Sequence, residues 1–333
     1  MSKRPITVAL DAMGGDSAPA EPVGGAVLAA RGGIRVLVVG DEAGVRDALA
    51  QYDTAGLPIE VVPSRGVVSE GENPVRALRS NPDASIAIAA GLVQQGLADA
   101  SVSMGSTGAT MAASVLTLGV FDGLDRPALG GPFIALAPRM SVIDLGSQID
   151  CRPSQLLSFA ALGVAFSRTF LAIDDPRIAL LSVGSEAGKG NKLVQETYPL
   201  LERSGLHFIG NIEGHELLAD KAEVVVCDGF VGNVLLKYTE GLAAAVAHHL
   251  ALTLGADSPA VAAIRGLAGN AEHAGGPLLG VNGVVVIGHG RSPATHVANA
   301  ITRARDMIQR DVVNAMRNEL ASVLARAEGV RDA

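Results

Sequence analysis

Apolar and polar positions follow one repeating order along this chain. A short β-branched run is followed by a glycine-rich turn, and then by a longer amphipathic or alanine-rich stretch. The short runs at 6–11, 35–40, 59–63, 100–104, 178–184, 224–226 and 284–287 have the length and composition of buried strands. Residues 132–137 and 141–145 read as two more. Helices are predicted over 19–31, 42–51, 74–80, 83–96, 153 to about 172 and 192–204, and from 105–108 on to Leu118. Asp41 is the expected cap of the 42–51 helix. A helix is predicted to open at Gly232-Asn233 and run to about Leu254, and a single long one from Ala294 to about Ala327. Residues 275–283 read as a glycine-rich connection.

Strands that alternate with helices predict an α/β fold: a mostly parallel, Rossmann-like sheet with helices on both faces. Ligands of such sheets bind at the carboxyl ends of the strands. Five turns follow predicted strands there: 11–16, 105–108, 184–191, 228–233 and 288–292. A glycine-rich turn before a helix presents backbone N–H groups to an anion. The same turns also serve as plain strand-to-helix connections, and the convergence of five points to a phosphate-type site.

Composition narrows the class. Of 333 residues, 48% are hydrophobic and 3% aromatic, so the core is built from Val, Leu, Ile and Ala, as in buried parallel strands. The net charge of −8 argues against a general nucleic-acid binder. Cys151 and Cys227 have neither metal-ligand spacing nor a disulfide framework. Met1-Ser-Lys-Arg-Pro5 leads straight into a strand, so no signal peptide is expected, and no apolar run reaches the ~18 residues of a membrane span.

Several familiar motifs fail. Gly184-Ser-Glu-Ala-Gly-Lys-Gly190 has the wrong glycine spacing for a P-loop, and Gly190 stands where a Ser or Thr would bind magnesium. Pro293 replaces the third glycine of a dinucleotide fingerprint begun at Gly288. No Gly-x-Ser-x-Gly elbow occurs. His248 and His249 face different sides of a helix and read as surface residues. Asp11 and Asp16 have no neighbours in sequence that complete a metal shell. Neither a metal nor a cofactor is expected.

With its loops in view, the chain resembles one family from end to end. The carrying motifs are Leu10-Asp-Ala-Met-Gly-Gly-Asp16, Ser106-Thr-Gly-Ala109, Asp150-Cys-Arg-Pro153, Lys189-Gly-Asn191, Phe208-Ile-Gly-Asn-Ile-Glu-Gly214, Val226-Cys-Asp-Gly-Phe-Val-Gly-Asn-Val-Leu-Leu-Lys237, Pro277-Leu-Leu-Gly-Val-Asn-Gly283 and His289-Gly290. They resemble the bacterial phosphate acyltransferases, which convert acyl-[acyl-carrier-protein] and inorganic phosphate into acyl phosphate. The resemblance implies a fold akin to phosphotransacetylases and isopropylmalate dehydrogenases. It also implies a single domain over 1–333 and a homodimer, with a helical dimer- or membrane-facing segment near 234–275 and an amphipathic docking part near 241–275. The implied setting is phospholipid synthesis, in the cytoplasm and peripherally on the membrane, next to a membrane glycerol-3-phosphate acyltransferase. The chain departs from the family pattern at Ser106, at Gly146-Ser-Gln148, at Arg291, and in keeping only Glu186 of the acidic residues after the 178–184 strand.

Phosphate is partly a dianion at neutral pH and a thioester has a good leaving group, so positioning and charge stabilisation matter more than a strong base. On the family's motifs, Lys189 and Asn233 are the expected catalytic residues, Lys189 for phosphate and Asn233 for the developing oxyanion. A solvated loop lysine and a helix N-cap are the plain alternatives for the two. Asp11, Gly14, Gly15, Asp16, Ser106, Thr107, Gly108, Asn191, Asp228, Gly229, Gly232 and His289 are the expected substrate-binding residues. A phosphotransacetylase using acyl-coenzyme A, a decarboxylating dehydrogenase of related fold, and a non-catalytic membrane scaffold are the competing functions. Chain-length preference, nicotinamide dependence and turnover separate them.

Overall fold

A computed structural model describes residues 5–69, 71–132, 134–266 and 275–329. The chain folds as two compact units, Met1–Phe121 with Glu272–Val313, and Asp122–Ala271 with Asn314–Ala333.

The first unit contains β1 (Thr7–Asp11), α1 (Ala20–Arg31), β2 (Arg35–Gly40), α2 (Glu42–Leu49), β3 (Ile59–Pro63), α3 (Pro74–Ser80), α4 (Ser85–Gln94), β4 (Ala100–Ser103) and α5 (Thr107–Leu118). β-Branched runs supply the strands, and polar caps start α2, α3 and α5: Asp41 accepts from Gly44 N–H at 2.9 Å and begins α2 as expected. Every residue of β1 is buried, so both faces of the sheet are covered. Ala9, Leu37 and Val39 pack against Ala89 of α4 on one face.

The second unit contains β5 (Ala128–Gly131), β6 (Ser141–Ile143), α6 (Pro153–Phe170), β7 (Ile178–Leu181), α7 (Lys192–Glu202), β8 (Phe208–Ile212), β9 (Val224–Val226), α8 (Gly229–Leu254) and α9 (Pro259–Arg265). Its strands lie in the order β5-β6-β9-β7-β8, all parallel except the β5–β6 pair. Ile143 and Val224 press on Gly163 of α6, while Val142 and Val225 belong to a cluster that takes in Leu235 and Leu236 of α8.

The chain then returns to the first unit with β10 (Gly276–Leu279), β11 (Val284–Ile287) and α10 (Ala294–Gln309), and α11 (Val312–Gly329) follows. The first unit's strand order is β3-β2-β1-β4-β11-β10, parallel except for β10 against β11.

Five sequence expectations are corrected. The strand expected at 132–137 lies upstream as β5, because Pro132 has no N–H for a ladder and Ile134–Ala137 close a turn at 3.0 Å. The 141–145 strand ends at Ile143, where Asp144 takes a positive φ of 76°. The 275–283 connection contains β10, whose mixed Gly and Pro content hid it. α8 opens at Gly229 rather than at Gly232, since Asp228 is its cap. The single long helix from Ala294 is two, α10 and α11, broken where Asp311 adopts φ 53°. β8 was not foreseen as a strand; its Phe-Ile-Gly-Asn-Ile pattern is interrupted by Gly210 at φ 99°.

Candidate active site

Adjacent strands β1, β4 and β11 carry three of the expected turns to one place in the first unit. Gly14 lies against the second turn: a Cβ there would sit 2.6 Å from Gly105 N and 2.8 Å from Asp11 Oδ2. The third turn is tied in by Asp16 N–H, which donates to Gly290 O at 2.8 Å. Asp11 is buried beneath them. Ser103 Oγ–H donates to its Oδ2 at 2.7 Å, Gly105 N–H donates to Ser103 Oγ at 3.0 Å, and Met13 N–H donates to its Oδ1 at 3.1 Å. Burial pushes the Asp11 carboxyl above its ordinary range, against these donors, which pull it down.

Gly15, Asp16 and half-buried His289 stand around this floor, and Asp16 is exposed. Ser106 caps α5 by accepting from Ala109 N–H at 3.1 Å, which places Thr107 and Gly108 in the helix's first turn. His289 N–H donates to Ser292 Oγ at 3.2 Å.

In the second unit, neighbouring strands β7 and β9 place the 184–191 and 228–233 turns side by side. Lys189 is exposed at the tip of a loop that is otherwise tied down. Its N–H donates to Glu186 O at 2.9 Å, Gln195 Nε2 donates to the Gly188 and Gly190 carbonyls at 3.0 Å each, and Asn211 Nδ2 donates to Glu186 O at 2.9 Å. The Lys189 stem lies on Gly184, where a Cβ would come within 2.8 Å of its Cγ. Lys192, Lys221 and Lys237 pair with Glu196, Glu216 and Glu240; among the described residues Lys189 is the lysine with no ion-pair partner. Asn191 caps α7, accepting from Val194 N–H at 3.0 Å.

Asp228 is buried and caps α8, accepting from Val231 N–H at 2.9 Å. Asn233 is therefore not the helix cap. It sits exposed at the start of the second turn of α8, and a Cβ on Gly146 would meet its Cβ and Cγ at 3.4 Å. Its amide group is thus not spent on capping. Gly232 lies so close to the Asp144 carbonyl that a Cβ would overlap the oxygen.

Sequence reasoning passed over Asp144, which organises this side. Its Oδ1 accepts from Ser147 Oγ–H at 2.6 Å, Ser147 N–H at 2.7 Å and Gly146 N–H at 3.1 Å, and its Oδ2 accepts from Gln148 N–H at 2.9 Å. Gln148 O in turn accepts from Gly229 N–H at 2.8 Å. The available signal was an aspartate followed by Leu-Gly-Ser at the end of an apolar run, an Asx-type turn. Burial raises the Asp144 pKa despite the four donors.

Neither cysteine is poised as a nucleophile. Both are free thiols. Burial, reinforced by the charges of Asp144 and Asp228, pushes Cys151 up to about 12. The same causes raise buried Cys227 well above the ordinary thiol value. Among the described residues no three His, Cys, Asp or Glu side chains gather as a metal site, and no helix is long and apolar enough to cross a membrane. His248 and His249 are exposed on α8.

Comparison with known proteins agrees with this architecture. A phosphotransacetylase from Streptococcus pyogenes shares the fold, with a TM-score of 0.58 at 18% identity over 91% of this chain and 94% of its own. A phosphate acyltransferase from Thermus thermophilus is 44% identical over 329 residues, 96% of this chain and 99% of the relative. One from Desulforudis audaxviator is 41% identical over 329 residues, 96% of this chain and 97% of the relative. The family model described as "Fatty acid synthesis protein" matches residues 6–315. Similarity of this extent settles membership: the chain belongs to the fatty acid synthesis protein family, with the phosphate acyltransferases as its relatives.

Proposed function

We propose that the chain transfers a long-chain acyl group from acyl-[acyl-carrier-protein] to inorganic phosphate, giving acyl phosphate for phosphatidic acid and phospholipid synthesis. The observation that carries this reading is similarity to phosphate acyltransferases over almost the whole chain. The second-unit geometry is compatible with the chemistry. Lys189, a lysine with no ion-pair partner on a pinned loop, supplies a compact cation for phosphate. Asn233 offers an unspent amide donor beside the Asp144-ordered loop, for the oxyanion of the tetrahedral intermediate.

A phosphate oxygen attacks the thioester carbonyl carbon. A carbon–oxygen bond forms, the carbon–sulfur bond breaks, and the proton left on phosphate passes to the departing thiolate. The raised thiol pKa values support direct transfer, with no acyl-enzyme on Cys151 or Cys227. Asn191, Asp228, Gly229 and Gly232 shape the second-unit turns. Asp11, Gly14, Gly15, Asp16, Ser106, Thr107, Gly108 and His289 are assigned to substrate binding in the first unit. We further assign the chain a homodimeric state and peripheral docking on the membrane, where a glycerol-3-phosphate acyltransferase would consume the product.

The test is to incubate the protein with palmitoyl-carrier protein and phosphate. Acyl phosphate, trapped with hydroxylamine, is expected in step with loss of thioester. No acyl phosphate from any thioester, with the protein folded, would overturn the assignment.

A further inference from the structure

A pocket of about 150 Å³ opens in the second unit between the Lys189 loop and the start of α8. Leu156 and Leu180 form part of its floor, and Val194 and Val231 part of its walls. Its polar edge is formed by Asn191 and Asp228, which cap the two flanking helices. We infer that this pocket receives the first carbons of the acyl chain, so that it is the acyl subsite of the transfer reaction.

Two observations support an alkyl occupant, and an unpartnered hydroxyl marks the place as a ligand site. No lysine or arginine lines the pocket and a carboxylate stands at its edge, so its walls do not suit phosphate. Ser182, also in the lining, holds a buried hydroxyl with no hydrogen-bond partner among the described residues, a spare polar group of the kind that orients a ligand in an otherwise apolar site. Val183, another lining residue, is 82% exposed, which leaves an apolar side chain in water at this site when nothing occupies it. At the roughly 30 Å³ that a water-sized group occupies, the volume takes about five such groups, so a short segment fits and a longer chain must continue outside.

The inference rests on the acyl-transfer reading, and the experiment separates the two. Val231→Phe and Leu193→Phe narrow the pocket from α8 and α7. Each is compared with the wild type for kcat/KM with acetyl and hexanoyl thioesters at saturating phosphate. Calorimetry then measures hexanoyl-pantetheine binding without phosphate, and circular dichroism confirms folding. A pocket for the proximal chain requires the hexanoyl-to-acetyl ratio of kcat/KM to fall at least about tenfold in a folded variant, with hexanoyl-pantetheine affinity falling in parallel. Binding in the wild type should show a negative heat-capacity change that narrows on filling. Active variants with an unchanged ratio and unchanged binding would overturn the pocket and leave the transfer reaction standing. A wild type that binds hexanoyl-pantetheine in a Val231- or Leu193-sensitive way but forms no acyl phosphate would overturn the reaction and leave the pocket.

Discussion

Lys189 and Asn233 are expected to fail in different ways when truncated. The Lys189 charge meets phosphate before and during reaction, so Lys189→Ala should chiefly raise the KM for phosphate. The Asn233 donor matters once negative charge has formed, so Asn233→Ala should chiefly lower kcat, by about a hundredfold. Because Asp228, not Asn233, caps α8, Asn233→Ala should leave the unfolding midpoint close to wild type, which separates chemistry from stability. Steady-state kinetics at varied phosphate, with urea unfolding alongside, checks both; near-wild-type turnover in folded variants would remove the two residues from the mechanism. Gly232→Ala should be destabilising by about 3 kcal/mol or more, since its Cβ overlaps a backbone carbonyl that cannot rotate away. Asp144 makes a pH-dependent contribution. Its folded pKa is raised, so its share of stability is full below the ordinary value of 3.8 and is lost as pH rises through the raised value. The stability deficit of Asp144→Asn should therefore be larger at pH 4 than at pH 7, measured by urea midpoints; a deficit that grows toward neutral pH would contradict this.

At the scale of elements, most of the fold was legible because most strands are β-branched runs, and because side-chain caps mark several helix starts. Asp41 was readable as a cap by its position alone, and the strands Arg35–Gly40 and Ile59–Pro63 were placed to the residue. The failures have two kinds of cause, local side-chain turns and caps that outweighed the apolar pattern, and strand pairing distant in sequence. Asp144 ended a strand that its apolar neighbours would have continued, because its carboxylate gathers four donors. Asp228 started α8 three residues before Gly232-Asn233, and no local pattern distinguishes these two openings. β10 is held by pairing with β11, which a Gly-Pro-Leu-Leu string does not announce. At the candidate site, the turns were legible from glycine spacing, while Asp144 and Ser103 act through partners distant in sequence or through an unusual φ. The docking segment expected near 241–275 lies outside the described residues over 267–274. Over its described part, Arg265 is the permanent cation and Asp257 the acid. Each basic residue at an anionic surface contributes only about 1 kcal/mol, so apolar burial must carry any docking. Flotation with anionic vesicles should be weak and nearly independent of salt; strong, salt-abolished flotation would refute this.

For the whole molecule, the remaining feature in need of a partner is the outer face of α8. Phe230, Val234, Tyr238 and Leu242 recur every four residues and are each at least half exposed, so they form one apolar stripe along more than three turns of helix. A stripe of this kind is larger than the scattered apolar side chains usual on a soluble surface. In the proposed homodimer a second copy of the chain would cover it, because a two-fold axis sets the same patch against itself. The net charge of −8 opposes association only through long-range repulsion, which salt screens within about 10 Å at 0.1 M. The expected outcome is a homodimer at micromolar concentration, strengthened rather than weakened by added salt. Tyr238→Glu with Leu242→Glu would set like charges across the two-fold axis and should give monomer while the fold persists, since neither side chain is buried within its own chain. Light scattering at low and high salt, with circular dichroism on the variant, makes the measurement. A wild type that stays monomeric across this range, or a double variant that dimerises as well as the wild type, would mean that this face has another occupant.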